Sequence, residues 1–388
     1  MQILQYIFAF IGACGCARPI SWTSWYKRCF YNAYTVVLFL ILHSFLVSLI
    51  MDLILIVDNQ DDFSDNAYLT LEIFISCWKM RSLILNRANY AILVDMLEEE
   101  PLSPMNHDEV EIRTKFDNLA KKNAIAYTLS LAGLLTCMVA TPIFADFRAG
   151  RLAYRGWIPY NYSSFHMFVI TYVYQMTSIT VGSFYNIAVD CLFGGLLIHV
   201  YCQFVILQNR LENVMKEGIE SAKQCARHHN CIYKFASTVN REFKTIIFIQ
   251  FLVSTSIMCI ELYQLTQREM DTRYIVSVVY TSCALMQILY YCWYGNESLE
   301  VTNMVMECNW TSLDNDDKKI LLMIMKRAEK PVEFNSIYLV VLTLESFMAV
   351  SIKQMYFLSN KISLSRVFVT VTQDFLLGVQ LASTETAI

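Results

Sequence analysis

The feature that most constrains this chain is a series of seven long apolar stretches separated by more polar segments. Several stretches approach the roughly 20 residues that an α-helix needs to cross about 30 Å of hydrocarbon. The 388-residue chain as a whole is also apolar, with 56% hydrophobic residues and a mean hydropathy of +0.40. The pattern predicts an all-α membrane protein with seven transmembrane helices. The predicted spans are 34–57, 67–85, 126–145, 165–204, 243–265, 272–293 and 336–358.

Basic residues are concentrated in alternate loops. The first loop carries only acidic charge, whereas the second, fourth and sixth loops hold most of the lysine and arginine residues. Short loops rich in positive charge remain in the cytoplasm. We therefore predict a cytoplasmic N-terminus, with Arg18, Lys27 and Arg28, and an extracellular C-terminus. This orientation is the reverse of that in a G-protein-coupled receptor.

The predicted outer loops contain none of the thirteen cysteines, so we expect no disulfide there. One outer loop carries the glycosylation sequon Asn161-Tyr162-Ser163, and Asn161 is the candidate acceptor. The matching motifs at Asn296 and Asn309 fall on the predicted cytoplasmic side and should remain unmodified.

The cytoplasmic loops mix apolar and charged residues at helical spacing, as in residues 320–325. This spacing predicts helices packed beneath the membrane. We divide the chain into an N-terminal cytoplasmic or interfacial segment (1–33), six transmembrane helices with a ligand pocket (34–293), cytoplasmic anchor helices (294–335), a pore helix (336–358) and an atypical C-terminal tail (359–388).

Signatures of catalysis are absent, since the chain has no glycine-rich phosphate loop, no HExxH and no GxSxG. The one cluster with metal-ligand residue types is Cys225, His228, His229 and Cys231. On a helix, Cys231 lies about 240° around the axis from Cys225, so the four side chains cannot converge. We expect no enzyme activity, no metal, no cofactor and no nucleic-acid partner.

Ionisable residues inside predicted spans are energetically costly and usually mark a buried pair or a functional position. Lys79 and Arg81 in the second span, Asp190 in the fourth and Glu345 in the seventh are the clearest cases. Lys79 and Asp190 should lie at similar depth, which favours a structural pair over a role in ion passage.

The outer halves of four spans share aromatic, methionine and small hydroxyl side chains. Together these predict a mostly apolar pocket with a few hydrogen-bonding groups, suited to small volatile or lipophilic molecules. Ordinary helix packing remains the alternative for each residue taken singly. The candidate ligand-binding residues are Tyr68, Leu71, Phe74, Met138, Thr141, Tyr172, Gln175, Met176, Ile179, Tyr280 and Cys283.

Several motifs resemble the insect odorant receptor family, most strongly its hymenopteran branch. They are RPISW at 18–22, YRGWIPY at 154–160, DCL at 190–192, CWYGN at 292–296 and LESFMAV at 344–350. The likeness covers roughly residues 5–350 and has the reversed topology predicted from the loop charges.

The resemblance implies the ligand-tuning subunit of an odorant-gated, non-selective cation channel in the plasma membrane of sensory neurons. It implies a hetero-tetramer with the shared olfactory co-receptor, and an odorant pocket between the second, third, fourth and sixth spans. The seventh helices would surround the pore, with Phe347, Val350 and Lys353 as candidate pore-lining residues. The sequence departs from the family pattern after Val350.

Two other functions compete with this one. A gustatory-receptor-like channel would share the topology, but its seventh-span motif of Thr-Tyr followed by Gln-Phe is missing. A secondary transporter would be expected to show inverted repeats and broken helices, and the sequence shows neither.

Overall fold

The computed structural model describes residues 4–18, 24–217, 219–267, 272–304, 315–328, 334–336, 340–346 and 348–349. Their regular secondary structure is α-helical except for a π-helical turn at Ile143–Phe147 and one pair of two-residue strands. The helices are α1 (Gln5–Ala13), α2 (Trp25–Leu55), α3 (Gln60–Leu85), α4 (Arg87–Met96), α5 (His107–Pro142), α6 (Phe165–Glu217), α7 (Ile219–Gln267), α8 (Thr272–Met304) and α9 (Asn315–Ala328). The strands are β1 (Asn335–Ser336) and β2 (Val340–Val341).

Each of the first six predicted spans coincides mainly with one long helix, although 34–57 runs past the end of α2 at Leu55 and 126–145 ends in the π-helical turn. Four helical stretches in the described residues are long and apolar enough to cross a membrane: Trp25–Leu55, His107–Phe147, Phe165–Glu212 and Ala222–Leu265. The apolar stretch of α3 is interrupted by Glu72, Lys79 and Arg81. The chain is therefore a helical membrane protein with several apolar helices.

Most helices extend beyond their predicted spans. The length of the fourth predicted span, 165–204, favours a helix that continues out of the bilayer through Leu211. The 53 residues of α6 correspond to about 80 Å of helix and confirm this continuation. Helix α2 begins at Trp25 instead of at the predicted position 34. The first turn of this helix is not covered by the rest of the chain, and Trp25 is 79% exposed.

Helix α6 forms the centre of the bundle and contacts α1, α2, α3, α5, α7 and α8. Its middle is apolar on all sides, and Leu192, Leu196, Leu197 and Val200 are completely or almost completely buried. A helix of this composition is stable only when surrounded by other helices. Gly194 lets α8 approach closely, since a Cβ atom there would overlap the Tyr290 ring.

The helices also pack together away from the apolar spans, in a region that we call the distal layer. It comprises α4, α9, residues 107–125 of α5, 205–217 of α6 and 219–242 of α7. Arg210 is its most connected side chain, donating hydrogen bonds to both carboxylate oxygens of Glu109 (2.9 and 2.8 Å) and to the carbonyls of Pro101 and Ser103. Helix α9 packs on α7, with the Arg327 guanidinium 5.1 Å from the Tyr233 ring centre.

The beginning of the predicted seventh span differs from expectation. Asn335–Ser336 and Val340–Val341 pair as short antiparallel strands instead of forming helix, and Leu342 N donates to Phe334 O at 2.8 Å. The β-branched Val340 and Val341 have weak helix propensity and fit a strand pair. Residues 344–346 are helical, and the remainder of the predicted span lies almost entirely outside the described residues.

Candidate ligand-binding site

A cavity of about 60 Å³ lies between α3, α5, α6, α7 and α8. We call it the inner cavity. Most of its wall is apolar, and its lining residues are Leu69, Glu72, Ile73, Ser76, Leu131, Leu134, Leu135, Met138, Ile179, Ser183, Asn186, Ser254, Ile257, Tyr280, Cys283, Ala284 and Gln287. An apolar cavity with a few convergent polar groups is typical of a small-molecule site.

A second, larger space of about 480 Å³ lies at the end of the bundle where α5 ends and α8 begins. We call it the outer vestibule. Met138 and Tyr280 line both spaces, so these two side chains form the partition between them. The vestibule also contains four carboxylates (Asp62, Asp65, Asp146 and Glu261) and two guanidinium groups (Arg151 and Arg155).

The loop between α5 and α6 covers the vestibule and is fastened by Gln175. The Gln175 amide accepts from Tyr154 N at 3.2 Å and donates to Tyr154 O at 2.8 Å. The Tyr154 hydroxyl in turn donates to the Met138 carbonyl at 2.9 Å. Backbone groups that would otherwise be unpaired are thus satisfied by a side chain of α6.

Arg155 holds the same loop against α2 and the beginning of α3. Its guanidinium pairs with Asp62 and lies 3.6 Å from Asp52. Partial burial alone would lower the pKa of Arg155, but the hydrogen bonds and negative charge of Asp62 and Asp52 outweigh it and raise the pKa. Arg155 therefore stays charged and contributes a stable ion pair to the vestibule rim.

Polar groups in the inner cavity converge on the carboxylate of Glu72. The Tyr280 hydroxyl donates to Glu72 Oε2 at 3.0 Å, and the Asn186 amide donates to Glu72 Oε1 at 2.7 Å. The same Asn186 nitrogen lies 2.9 Å from the Ser76 hydroxyl. Asn186 Oδ1 is buried and has no hydrogen-bond partner among the described residues.

Beneath the cavity, Asp190 of α6 bonds to side chains of α3, α5 and α8, and Gln287 links α7 to this junction of five helices. The Asp190 carboxylate accepts hydrogen bonds from Lys79 (2.5 Å), Tyr127 (2.6 Å), Tyr291 (2.5 Å) and Gln287 (2.6 Å). The Gln287 carbonyl accepts from Gln250 of α7 at 2.9 Å. The predicted Lys79–Asp190 pair is confirmed. Gln287 connects it directly to the inner cavity.

The structure brings six of the eleven candidate ligand-binding residues to these two spaces. Met138, Ile179, Tyr280 and Cys283 line the inner cavity, while Tyr68 and Thr141 line the vestibule. Ligand contact by these residues stays a prediction.

The other five candidates do not line either space. Phe74 lies about 200° around α3 from Glu72 and is 39% exposed on the outer surface of the bundle. Tyr172 packs with its ring 5.0 Å from that of Phe147. The remaining three are Leu71, which packs against the neighbouring apolar clusters, Gln175 and Met176.

Other candidate residues are placed as follows. Phe347, Val350 and Lys353 lie outside the described residues. Asn161 is exposed, and the Ser163 hydroxyl donates to its Oδ1 at 2.6 Å. His228 Nε2 lies 2.8 Å from Gln203 Oε1, and His229 packs against Tyr233. Among the described residues no group of histidine, cysteine and carboxylate side chains could hold a metal ion.

Sequence reasoning missed Glu72, Asn186 and Gln287. Glu72 carried a usable signal, because it is a carboxylate inside a predicted span, seven residues and therefore two helical turns before Lys79. Asn186 and Gln287 are neutral, and their importance follows only from how the helices meet.

The comparisons with known proteins agree with this architecture. The family model of the 7tm odorant receptors matches residues 59–352. Odorant receptor 46a, isoform A, of Drosophila melanogaster is 25% identical over 309 residues, which are 74% of this chain and 80% of that protein. Odorant receptor 10 of Aedes albopictus is 26% identical over 235 residues, which are 56% of this chain and 62% of that protein.

Solved structures show the same fold. The insect olfactory receptor OR5 from Machilis hrabei has a TM-score of 0.85 at 15% identity, covering 93% of this chain and 97% of that one. Its complex with eugenol has a TM-score of 0.82 at 16% identity, covering 95% and 97%. Because the family model matches well over half of its residues, this chain belongs to the insect odorant receptor family, whose members are receptors and not enzymes.

Proposed function

We propose that this chain is the ligand-tuning subunit of an odorant-gated, non-selective cation channel. The inner cavity carries the proposal. In a chain of this family, a mostly apolar cavity lies directly behind a vestibule and is separated from it by Met138 and Tyr280. Such a cavity suits small volatile, lipophilic ligands, because apolar burial supplies the binding energy and a few polar groups orient the molecule.

The charge distribution supports a definite orientation. With the basic loops in the cytoplasm, the distal layer lies beneath the membrane and the vestibule opens to the outside. In this arrangement the chain has seven spans, a cytoplasmic N-terminus and an extracellular C-terminus, in the plasma membrane of sensory neurons. Odorants reach the vestibule from the outer face, and the distal layer is available for contacts between subunits.

One subunit contributes a single candidate pore helix, in the region 336–358, and one helix cannot enclose a water-filled path. A closed ring of subunits supplies such a path, and the shared olfactory co-receptor is the proposed partner in that ring. Gln287 offers a route from ligand to channel, since it lines the cavity and donates to Asp190 at the junction of five helices.

The test is to record odour-evoked currents from cells expressing this chain alone, the co-receptor alone, or both, across a broad panel of volatiles. We expect ligand-dependent cation current only when both chains are present. Equal currents from the chain alone would contradict the hetero-oligomer. Surface-expressed pairs that respond to no volatile at any concentration would contradict the receptor function itself.

A further inference from the structure

We propose that the inner cavity recognises small ligands carrying a protonated primary amine, with Glu72 as the counter-charge. The inference rests on the proposed function and adds the chemical class of the ligand. It follows from three independent features of the site: a carboxylate outside the described ion pairs, a buried acceptor without a described partner, and the charge of the described residues that line the vestibule.

Glu72 is a carboxylate that lines a mostly apolar cavity, and no described cation forms an ion pair with it. Its two oxygens accept hydrogen bonds from the neutral Tyr280 hydroxyl and the neutral Asn186 amide. None of the ion pairs found among the described residues includes Glu72, and Lys79 on the same helix is committed to Asp190. A carboxylate can accept about four hydrogen bonds. Glu72 thus has acceptor capacity left, and its charge is costly until a cation arrives.

Asn186 Oδ1 is a second acceptor in the same wall. Asn186 is only 4% exposed, its amide nitrogen is used by Glu72 and Ser76, and its oxygen has no partner among the described residues. A buried polar atom without a partner costs free energy that a ligand donor would recover. An ammonium group has three donors and no acceptor, so it can bind Glu72 and Asn186 Oδ1 together.

The vestibule favours the arrival of cations. Among the described residues that line it, four carboxylates outnumber two guanidinium groups, and both guanidinium groups are paired, Arg151 with Asp146 and Arg155 with Asp62. A cleft of one net sign between low-dielectric walls raises the local concentration of counter-ions. An amine would meet this negative potential before it reaches the partition.

The side chains at the partition and in the cavity wall fit a ligand with an ammonium group and a short alkyl chain. The rings of Tyr68 and Tyr280 meet edge to face with centres 5.8 Å apart. Their faces attract ammonium groups. Beyond Glu72 the wall is formed by leucines of α5, and the cavity volume of about 60 Å³ limits the alkyl chain to a few carbons.

The experiment compares n-butylamine with 1-butanol, which has the same carbon chain and a neutral head group. In cells expressing this chain with the co-receptor, we expect butylamine to act at a lower concentration than butanol. Glu72→Gln keeps the side-chain size and removes the charge. It should raise the half-maximal concentration for butylamine by about tenfold or more, because a charge-assisted hydrogen bond is lost. The response to butanol should change much less.

Three further variants make the result interpretable, with surface expression measured for each. Glu72→Asp retains the charge and should keep part of the preference for the amine. Asn186→Ala should weaken the amine response more than the alcohol response. Glu111→Gln removes an exposed carboxylate paired with Lys115 on α5 and should leave both responses unchanged.

A binding measurement separates this inference from the channel function. Butylammonium chloride should raise the thermal unfolding midpoint of the purified full chain saturably, relative to equal sodium chloride, and Glu72→Gln should abolish the shift. Equal responses to butanol and butylamine, or equal effects of Glu72→Gln on both, would overturn the amine assignment while leaving a functional receptor. A saturable shift without any current would instead contradict the channel proposal alone.

Discussion

Lys79 and Asp190 form an ion pair between α3 and α6, with Nζ and Oδ1 2.5 Å apart and both side chains completely buried. The carboxylate of the pair is well satisfied, because Asp190 also accepts hydrogen bonds from Tyr127, Gln287 and Tyr291. Burying two charges is costly, and only such a set of additional donors makes the arrangement stable.

Breaking this pair should destabilise the receptor strongly. Asp190→Asn leaves the Lys79 ammonium buried without a counter-charge, at a cost of about 3–5 kcal/mol. We expect a lower thermal unfolding midpoint of the purified chain and reduced surface expression. The double variant Lys79→Met, Asp190→Asn should recover part of the loss, since no charge is then left unpaired.

The matched control is Lys115→Met, which breaks the exposed Lys115–Glu111 pair on α5. Exposed pairs contribute little to stability, so no measurable change in the unfolding midpoint is expected. A double variant as unstable as the sum of its single variants would show that the ion pair has no special role.

The sequence made Tyr280 and Tyr172 equivalent candidates for ligand contact, whereas the structure gives the two side chains different surroundings. Tyr280 lines both the cavity and the vestibule, so Tyr280→Ala should cost about 1–3 kcal/mol of ligand binding, or about five- to a hundredfold in half-maximal concentration. Tyr172 packs against Phe147 and Phe168, and Tyr172→Ala should mainly lower thermal stability. Dose–response currents with surface labelling distinguish the two.

Tyr280→Phe tests the hydroxyl separately, because it keeps the ring and removes the hydrogen bond to Glu72. A smaller shift than that of Tyr280→Ala is expected. The assignment of the cavity is wrong if Tyr280→Ala reaches the surface with an unchanged dose–response curve for every active ligand.

Hydropathy and loop charge predicted the first six helices well because a membrane imposes strong, local constraints on sequence. The Lys79–Asp190 pair was predictable for the same reason, since charges at equal depth need partners. The early beginnings of α5 and α7 were harder to predict, because an amphipathic helix outside the bilayer has a weaker signal than a continuous apolar run.

The cavity was only partly predictable. Residue type indicates that Met138 and Tyr280 belong to a pocket, but the rotation of each helix decides which side chains face inward. A change of two positions along α3 separates Glu72, in the cavity, from Phe74, on the outer surface. Composition alone carries no information about that rotation. The role of Gln175 in fastening the loop at Tyr154 likewise depends on contacts between distant parts of the chain.

Arg210 and Glu109 should stabilise the distal layer in a pH-dependent way. Glu109 lies well outside the predicted span 126–145. Burial alone would raise the pKa of Glu109, but the hydrogen bonds and charge of Arg210 outweigh it and lower the pKa. A carboxylate with a lowered pKa stabilises the fold fully above the ordinary glutamate value of about 4.3, and this contribution is lost as pH falls through the lowered pKa.

Arg210→Met should therefore lower the unfolding midpoint at neutral pH, and the difference from the native chain should shrink in acid. The unfolding midpoint of Arg210→Lys should lie between those of Arg210→Met and the native chain. Lysine keeps the positive charge, but an ammonium cannot reproduce the four hydrogen bonds of the guanidinium. Arg241→Met, at an exposed arginine paired with its neighbour Glu242, serves as the control and should behave like the native chain. A pH-independent effect of Arg210→Met would rule out the ionic contribution.

The proposed orientation predicts where the chain is glycosylated. Asn161 is exposed in the loop before α6, with Ser163 placed beside its amide as the sequon requires. If this loop faces the lumen during synthesis, the expressed chain should lose apparent mass on treatment with a glycan-removing enzyme, and Asn161→Gln should abolish the change. Asn296→Gln and Asn309→Gln should leave the mass change intact, because both positions lie on the cytoplasmic side in the proposed topology. Loss of the glycan in either of these variants, with Asn161→Gln still modified, would reverse the orientation and place the distal layer outside the cell.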